Sequence, residues 1–180
     1  MNLKQISLKF RDKLKKIKVV CLDVDGILTD GRVFYQGEEM GFNRYFNVYD
    51  GYGMKVLKEA GLKVGVITGG NSLSVTKRSE QLQLDFCYMG NEDKRVPFLD
   101  IMKKYNVSAE EVLYMGDELF DIPLLKKAGF SATVTTASDE VKESVDYVTE
   151  RLGGHGAVRE VMDLVRYAQN IQPHIPTFES

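Results

Sequence analysis

An α/β fold, with a Rossmann-like parallel sheet and helices on both faces, is predicted for this 180-residue chain. Three observations predict it. Short apolar runs rich in β-branched residues alternate with stretches of helical periodicity, as in Val19–Leu22, Lys63–Ile67 and Val112–Met115. Alternation of this kind gives parallel strands joined by crossover helices. The runs are continuously apolar rather than alternating, which marks strands covered on both faces. The length suits one domain with a full core, and 43% hydrophobic with 28% charged residues is an ordinary globular balance.

Taken in order, the first segment carries Leu3, Ile6, Phe10, Leu14 and Ile17 at steps of three and four. That spacing predicts an amphipathic helix over residues 1–17, with Lys4, Lys9, Arg11, Lys13, Lys15 and Lys16 on its solvated face. Val19–Leu22 reads as a buried strand. Arg32–Gln36 and Arg44–Val48 flank Gly37-Glu38-Glu39 and read as a hairpin flap over 32–48. Tyr52–Ala60 reads as a helix stopped by Gly61, Lys63–Ile67 as a strand, and the segment to about Gln83 as a helix. Phe86–Met89 is a short strand and Glu92–Tyr105 a helix. Ser108-Ala109-Glu110-Glu111 matches a capping box with room for one turn. Val112–Met115 is a strand followed by a helix to Ala128, and Ser131–Val134 and Tyr147–Val148 are further short strands. Gly156–Ala168 is the last helix, and 170–180, with two prolines after Gln172, is expected to be a flexible tail. No repeat or linker divides the chain.

Composition narrows the function. A net charge of −2 offers no basic field for nucleic acid. No apolar run approaches the roughly 18–20 residues needed to span a bilayer. Lysines and Arg11 interrupt every apolar stretch as far as Lys18, so no signal peptide is expected and a cytoplasmic location is the default. Cys21 and Cys87 both sit in apolar runs and are expected as buried free thiols.

In parallel α/β sheets ligands bind beyond the carboxyl ends of the strands. Here those ends carry Asp23-Val24-Asp25-Gly26, Thr68-Gly69-Gly70, and Gly116-Asp117-Glu118 with Asp121 a turn later; Lys94 starts the helix after Phe86–Met89. Taken singly, each has a plain explanation, as a strand end, a turn, a solvated lysine or a helix cap. Together they form a set that phosphoryl transfer needs. Phosphate oxygens repel an anionic nucleophile, so a cation must screen them, and Mg²⁺ prefers oxygen ligands such as Asp23 and Asp117 could supply. A carboxylate can attack phosphorus to give an acyl-phosphate, which is the expectation for Asp23. Asp25, two residues on and so on the same face, is placed to protonate the leaving group and then to activate water. Thr68 can donate to a phosphate oxygen and Lys94 can add positive charge.

These motifs, in this order, resemble the haloacid dehalogenase superfamily: Asp-x-Asp-Gly at 23–26, Thr68, Lys94, and Gly116-Asp117-Glu118 with Asp121. Members with a large cap insert it between the motifs. Asp25 and Thr68 enclose only 42 residues, and Lys94 and Asp117 only 22, so no large cap domain fits. Leu28-Thr29-Asp30-Gly31, Phe46-Asn47-Val48-Tyr49-Asp50-Gly51-Tyr52-Gly53 and Gly153-Gly154-His155-Gly156-Ala157-Val158-Arg159-Glu160 are similar to the capless 3-deoxy-D-manno-octulosonate 8-phosphate phosphatases, over about residues 17–168. The resemblance implies a sugar-acid phosphate substrate, a role in lipopolysaccharide core synthesis, and a homotetramer in which each hairpin, with Phe42–Phe46 a candidate contact, helps close a neighbour's site. It implies substrate binding by Asn47, Asp50, Gly51, Gly69 and Arg78, and a magnesium set of Asp23, Asp25 and Asp117. Three positions depart from the pattern: Tyr49, Lys55 and Gly70 stand where the family has Arg. Neither Tyr nor Gly can replace a two-pronged guanidinium, so a related nine-carbon ketosugar acid phosphate is a second candidate. Glu118 replaces the usual second Asp. Readings from other classes are a receiver-like signalling domain, which would keep a long-lived phospho-aspartate, and a non-catalytic scaffold.

Overall fold

The computed structural model describes residues 2–178. Its main sheet is built from β1 (Val19–Leu22), then, past a small hairpin of β2 (Phe34–Tyr35) and β3 (Phe42–Asn43), from β4 (Lys63–Ile67), β5 (Phe86–Tyr88), β6 (Val112–Met115), β7 (Phe130–Thr133) and β8 (Tyr147–Val148). The order is β5-β4-β1-β6-β7-β8, and every pairing in it is parallel. All four residues of β1 and all four of β6 are buried, as continuous apolar runs covered on both faces require. The helices are α1 (Leu3–Lys9), α2 (Arg11–Leu14), α3 (Val48–Glu59), α4 (Leu73–Gln81), α5 (Arg95–Tyr105), α6 (Ile122–Lys127), α7 (Asp139–Lys142) and α8 (Ala157–Ala168). α1, α2 and α3 pack on α8, whereas α6 packs on β6 and β7 with α5 beside it. No helix among the described residues is long and apolar enough to cross a membrane.

The register places the site. Leu22 of β1 lies beside Val66 of β4 on one side and Met115 of β6 on the other. Asp23 continues the ladder by donating its backbone N–H to Met115 O at 2.9 Å, and Thr68 does the same to Tyr88 O at 2.9 Å. Asp23, Thr68 and Gly116 therefore leave the sheet at one level and one edge.

Several elements differ from their sequence expectation. The single helix over 1–17 is two short helices broken at Phe10, whose ring stacks edge-on against Phe130 at 5.4 Å and Tyr147 at 6.3 Å. Anchoring that ring in the core turns the chain there. The second hairpin strand is Phe42–Asn43 rather than 44–48, because Asn47 caps α3 by accepting from Tyr49 N at 2.8 Å and so starts that helix at Val48. α4 ends at Gln81, with Gln83 left-handed at φ 51°, and α5 begins at Arg95 with Lys94 as its cap residue. The helix expected to run to Ala128 is a 3-10 turn, Leu119–Asp121, followed by α6. Ser108 and Glu111 do form a capping box over one turn. Cys21 is buried, but Cys87 is exposed: β5 is the last strand on its side of the sheet, so its outer positions meet solvent. Of the expected tail, Glu179 and Ser180 lie outside the described residues, as does Met1 of the first helix.

Candidate active site

The carboxyl edge of β1, β4 and β6 holds a buried cluster. Asp23 is 3% exposed. Its Oδ1 accepts from Val24 N at 2.7 Å and meets Lys94 Nζ at 2.9 Å, which leaves Oδ2 as the oxygen free to act. Lys94 is fully buried and divides its charge between Asp23 and Asp121, the latter at 2.8 Å, beneath the face of Phe120. A buried ammonium needs such pairing to stay charged.

Asp121 is saturated. Its Oδ1 accepts from Lys94 and from Tyr114 Oη at 2.6 Å, and its Oδ2 from the backbone N–H groups of Asp117 at 3.2 Å and Glu118 at 3.1 Å. The two backbone bonds fold the 116–121 loop back on itself, and the bonds from Lys94 and Tyr114 anchor it to the cluster and to β6. Asp117 is the opposite case: its Oδ1 is buried with no partner. Asp23, Asp117 and Asp121 can bring one oxygen each within 4.8 Å of one another.

This crowd of carboxylates has an electrostatic signature. Burial pushes the Asp23 carboxyl up to about 7 despite the Lys94 ammonium, and Asp121 adds to the rise. Burial pushes Asp117 up to about 7 as well, helped by Asp23, Asp121 and Glu118. Buried carboxylates that destabilise one another, one with an orphaned oxygen, fit a divalent cation bound between Asp23 and Asp117. Gly26 makes the close approach possible. It sits at φ +82°, and a side chain there would run into the Asp117 carboxylate. Thr68 Oγ1 accepts from Gly70 N at 3.1 Å, which leaves its own proton to donate.

The structure does not bring the Asp25 carboxylate into the three-carboxylate cluster. Both its oxygens are clasped by Arg44, through Nε to Oδ1 and Nη2 to Oδ2, the latter at 2.9 Å. The sequence pointed to Phe42–Phe46 only as a subunit contact. Arg44, inside that segment, turns inward instead, and nothing in local sequence signals it. Tyr114 was likewise missed, since a tyrosine in an apolar strand reads as core. Glu118 is exposed and caps the 3-10 turn through Leu119 N at 3.3 Å.

The residues singled out for substrate binding mostly hold one another. Arg78 Nη2 donates to Asn47 O at 2.9 Å, and Gly51 lies directly against that guanidinium. Asn47 Nδ2 donates to Gly154 O at 3.0 Å, and Gly154 N donates to Ile27 O at 3.0 Å, so this joint buttresses the turn after Asp25. Asp50 Oδ1 accepts from Arg159 N at 2.7 Å while its Oδ2 is buried without a partner; burial raises its carboxyl to about 6. Gly69 lies against Glu92, 3.2 Å from where a Cβ would sit. Among the described residues, none of these five hydrogen-bonds to Asp23, Asp25, Thr68, Lys94 or Asp117 in this single chain. Tyr49 is exposed, and Lys55 faces solvent toward Glu59 at 3.6 Å. His155 is exposed.

Comparison with known proteins gives a consistent picture. A family model of haloacid dehalogenase-like hydrolases matches residues 89–161. The chain is 39% identical to the 3-deoxy-D-manno-octulosonate 8-phosphate phosphatase of Escherichia coli K12, over 87% of this chain and 83% of that protein. It is 37% identical to the Haemophilus influenzae protein of the same description, over 88% of each. A crystal structure of the Moraxella catarrhalis phosphatase, in complex with magnesium ion, phosphate ion and KDO, superposes with a TM-score of 0.86 at 36% identity, covering 90% of this chain and 92% of that one.

Proposed function

The chain belongs to the 3-deoxy-D-manno-octulosonate 8-phosphate phosphatase family of haloacid dehalogenase-like hydrolases, and on that premise we propose that it hydrolyses 3-deoxy-D-manno-octulosonate 8-phosphate with magnesium as cofactor. The observation that carries the reading is the buried Asp23, held by Lys94 and Val24 N with one oxygen free, beside the unpartnered Asp117 oxygen. Asp23 and Asp117 would hold the metal, which when bound supplies positive charge to the phosphate and to the carboxylates around it.

Asp23 Oδ2 attacks phosphorus and the ester bond breaks, leaving an aspartyl-phosphate and an alcohol that takes its proton from Asp25. Water then attacks the same phosphorus, passes a proton to Asp25, and releases inorganic phosphate with Asp23 restored. Thr68 donates its hydroxyl proton to a phosphate oxygen. Lys94 favours the ionised form of Asp23 against its burial and adds charge opposite the one that develops on the phosphoryl group. Asp121 and Tyr114 do not touch the substrate; they fix Lys94 and the 116–121 loop. The Asp25 step distinguishes this chain from a receiver domain, because it hastens loss of the phosphoryl group.

A nine-carbon ketosugar acid phosphate is the second reading. It is favoured by Tyr49, Lys55 and Gly70 where the family pattern has Arg, two of them on the outer face of α3. A homotetramer is also proposed, supported by the aromatic residues Tyr35, Phe42 and Tyr45 exposed on the hairpin; only monomer in light scattering at micromolar concentration would count against it. Two free thiols suit a reducing compartment and so a cytoplasmic location. The central test is phosphate release from a panel of sugar-acid phosphates. Turnover should require magnesium, stop with EDTA, and fall to background in Asp23→Asn. Release that survives Asp23→Asn would overturn the nucleophile.

A further inference from the structure

The clasp on Asp25 poses a problem for the chemistry just proposed. A carboxylate that accepts both arms of a guanidinium has neither oxygen free to meet an ester oxygen. Arg44 is only 8% exposed in its side chain, whereas Asp25 is 36% exposed, so the pair lies at the mouth of the site with the arginine packed beneath the hairpin. For Asp25 to act, the fork must open.

Position explains what opens it. A general acid has to stand beside the bridging oxygen, so a guanidinium that clasps the acid lies on the side of the leaving alcohol. The transferred phosphoryl group, at Asp23 with Thr68 and Lys94, is on the other side. Gly70 borders the same space: a Cβ there would lie 2.7 Å from Arg44 Nη2, 3.2 Å from Asp25 Oδ2 and 3.5 Å from Thr68 Oγ1. The absent side chain leaves the guanidinium a lane in which to swing. A planar fork suits a carboxylate, and a new carboxylate compensates the arginine for the one it gives up.

We propose that Arg44 is a specificity-determining residue: a carboxylate on the leaving alcohol draws its guanidinium off Asp25, so that binding of an acid-bearing phosphomonoester is what frees Asp25 to act. The inference deepens the phosphatase reading and rests on the acid role given to Asp25. It makes Arg44 a substrate-binding residue carried by the flap and not only a structural tie.

The test is steady-state kinetics of the full chain with magnesium. The substrates are 3-deoxy-D-manno-octulosonate 8-phosphate and its analogue with a carboxamide in place of the carboxylate. Wild type should favour the carboxylate by about 10–100-fold in kcat/KM, the range for hydrogen bonds to charged groups. Arg44→Ala should erase the preference from both directions, with the carboxylate substrate slower and the carboxamide faster, since the clasp is gone. Added methylguanidinium should restore part of the preference. Gly70→Ala, which keeps Arg44 but sets a methyl against its Nη2 and fills its lane, should weaken the preference. Equal losses on both substrates in Arg44→Ala would reduce Arg44 to a structural tie and overturn the proposal, as would an undiminished preference in either variant. Failure of the underlying phosphatase reading would look different, as no phosphate release by wild type from either substrate.

Discussion

The two ends of the same sheet treat charge in opposite ways. At the amino end Lys16 meets Glu110 at 3.2 Å, Lys18 meets Glu111 at 2.5 Å, and Asp85 is shared by Lys63 at 3.1 Å and Lys58 at 4.0 Å; Lys16, Lys18 and Lys63 are each about half exposed or more. That end also carries a groove of about 790 Å³, whereas the groove beside Thr68 is about 390 Å³. At the carboxyl end three carboxylates face one lysine, with Asp23, Asp121 and Lys94 buried and Asp117 partly so. The carboxylates that line the larger groove, Glu110 and Glu111, are each paired with a lysine that keeps its contact with water. At the carboxyl edge the carboxylates outnumber the one lysine, so a cation and a phosphate gain there what the protein alone leaves unbalanced.

The sharpest way to break this contrast is to alter one atom at the carboxyl end. Asp25→Asn keeps the shape but cannot shuttle a proton. Turnover should fall about 10²–10⁴-fold while magnesium binding, read by thermal shift, is retained. Unchanged turnover would end the acid/base role and the account of Arg44 with it. Next in size is Lys94→Met, which keeps the bulk and removes the only ammonium in the cluster. Breaking a buried pair costs roughly 3–5 kcal/mol, and here two carboxylates lose their partner, so denaturant unfolding should show a loss of that order. A loss below about 1 kcal/mol would mean that the cluster is as well hydrated as the surface pairs.

How much of this was legible in the sequence follows from what is local. Asp23, Thr68 and Asp117 were readable because each ends a continuous apolar strand, and parallel register then forces strand ends to one edge. Arg44 was not, because its direction depends on where the hairpin turns, and that turn shifted once Asn47 capped α3. Cys87 sits in as apolar a run as Cys21, yet only the strand order shows that its strand is at the edge. Asp121 was visible as a nearby acid, but its role came from four hydrogen bonds that no spacing rule predicts. Residues whose task is set by their own strand were legible; those whose task is set by a distant loop were not.

A smaller effect, but one that reads the contrast directly, is the pH dependence of magnesium stabilisation. Asp23 and Asp117 are both raised to about 7 in the folded chain, from about 3.9 unfolded. The folded state therefore binds more protons between those values, and without metal their contribution to stability declines as pH rises from about 4 to about 7. Magnesium needs both groups ionised, so it competes with protons in that window and finds the anions preformed above it. The thermal shift produced by magnesium should be small at pH 5, grow through pH 7 and level off by about pH 8. A shift that is flat across that range would show that the two carboxylates are already ionised at low pH.

The smallest effect belongs to the amino end and is the control that gives the others meaning. Lys18→Ala removes the cation from a pair whose lysine is 65% exposed. Water replaces the lost partner at Glu111, and exposed pairs are worth roughly 0–1 kcal/mol. Glu111 also keeps its bond to Ser108 N at 2.8 Å, so the turn before β6 holds without Lys18. Unfolding free energy should change by less than about 1 kcal/mol, and turnover on the sugar-acid phosphate should match wild type. Strands β1 and β6 run from this end straight to Asp23 and Asp117, so a clear loss of turnover in Lys18→Ala would mean that strain passes along them. The two ends would then be one coupled unit, and burial alone would no longer account for the difference between them.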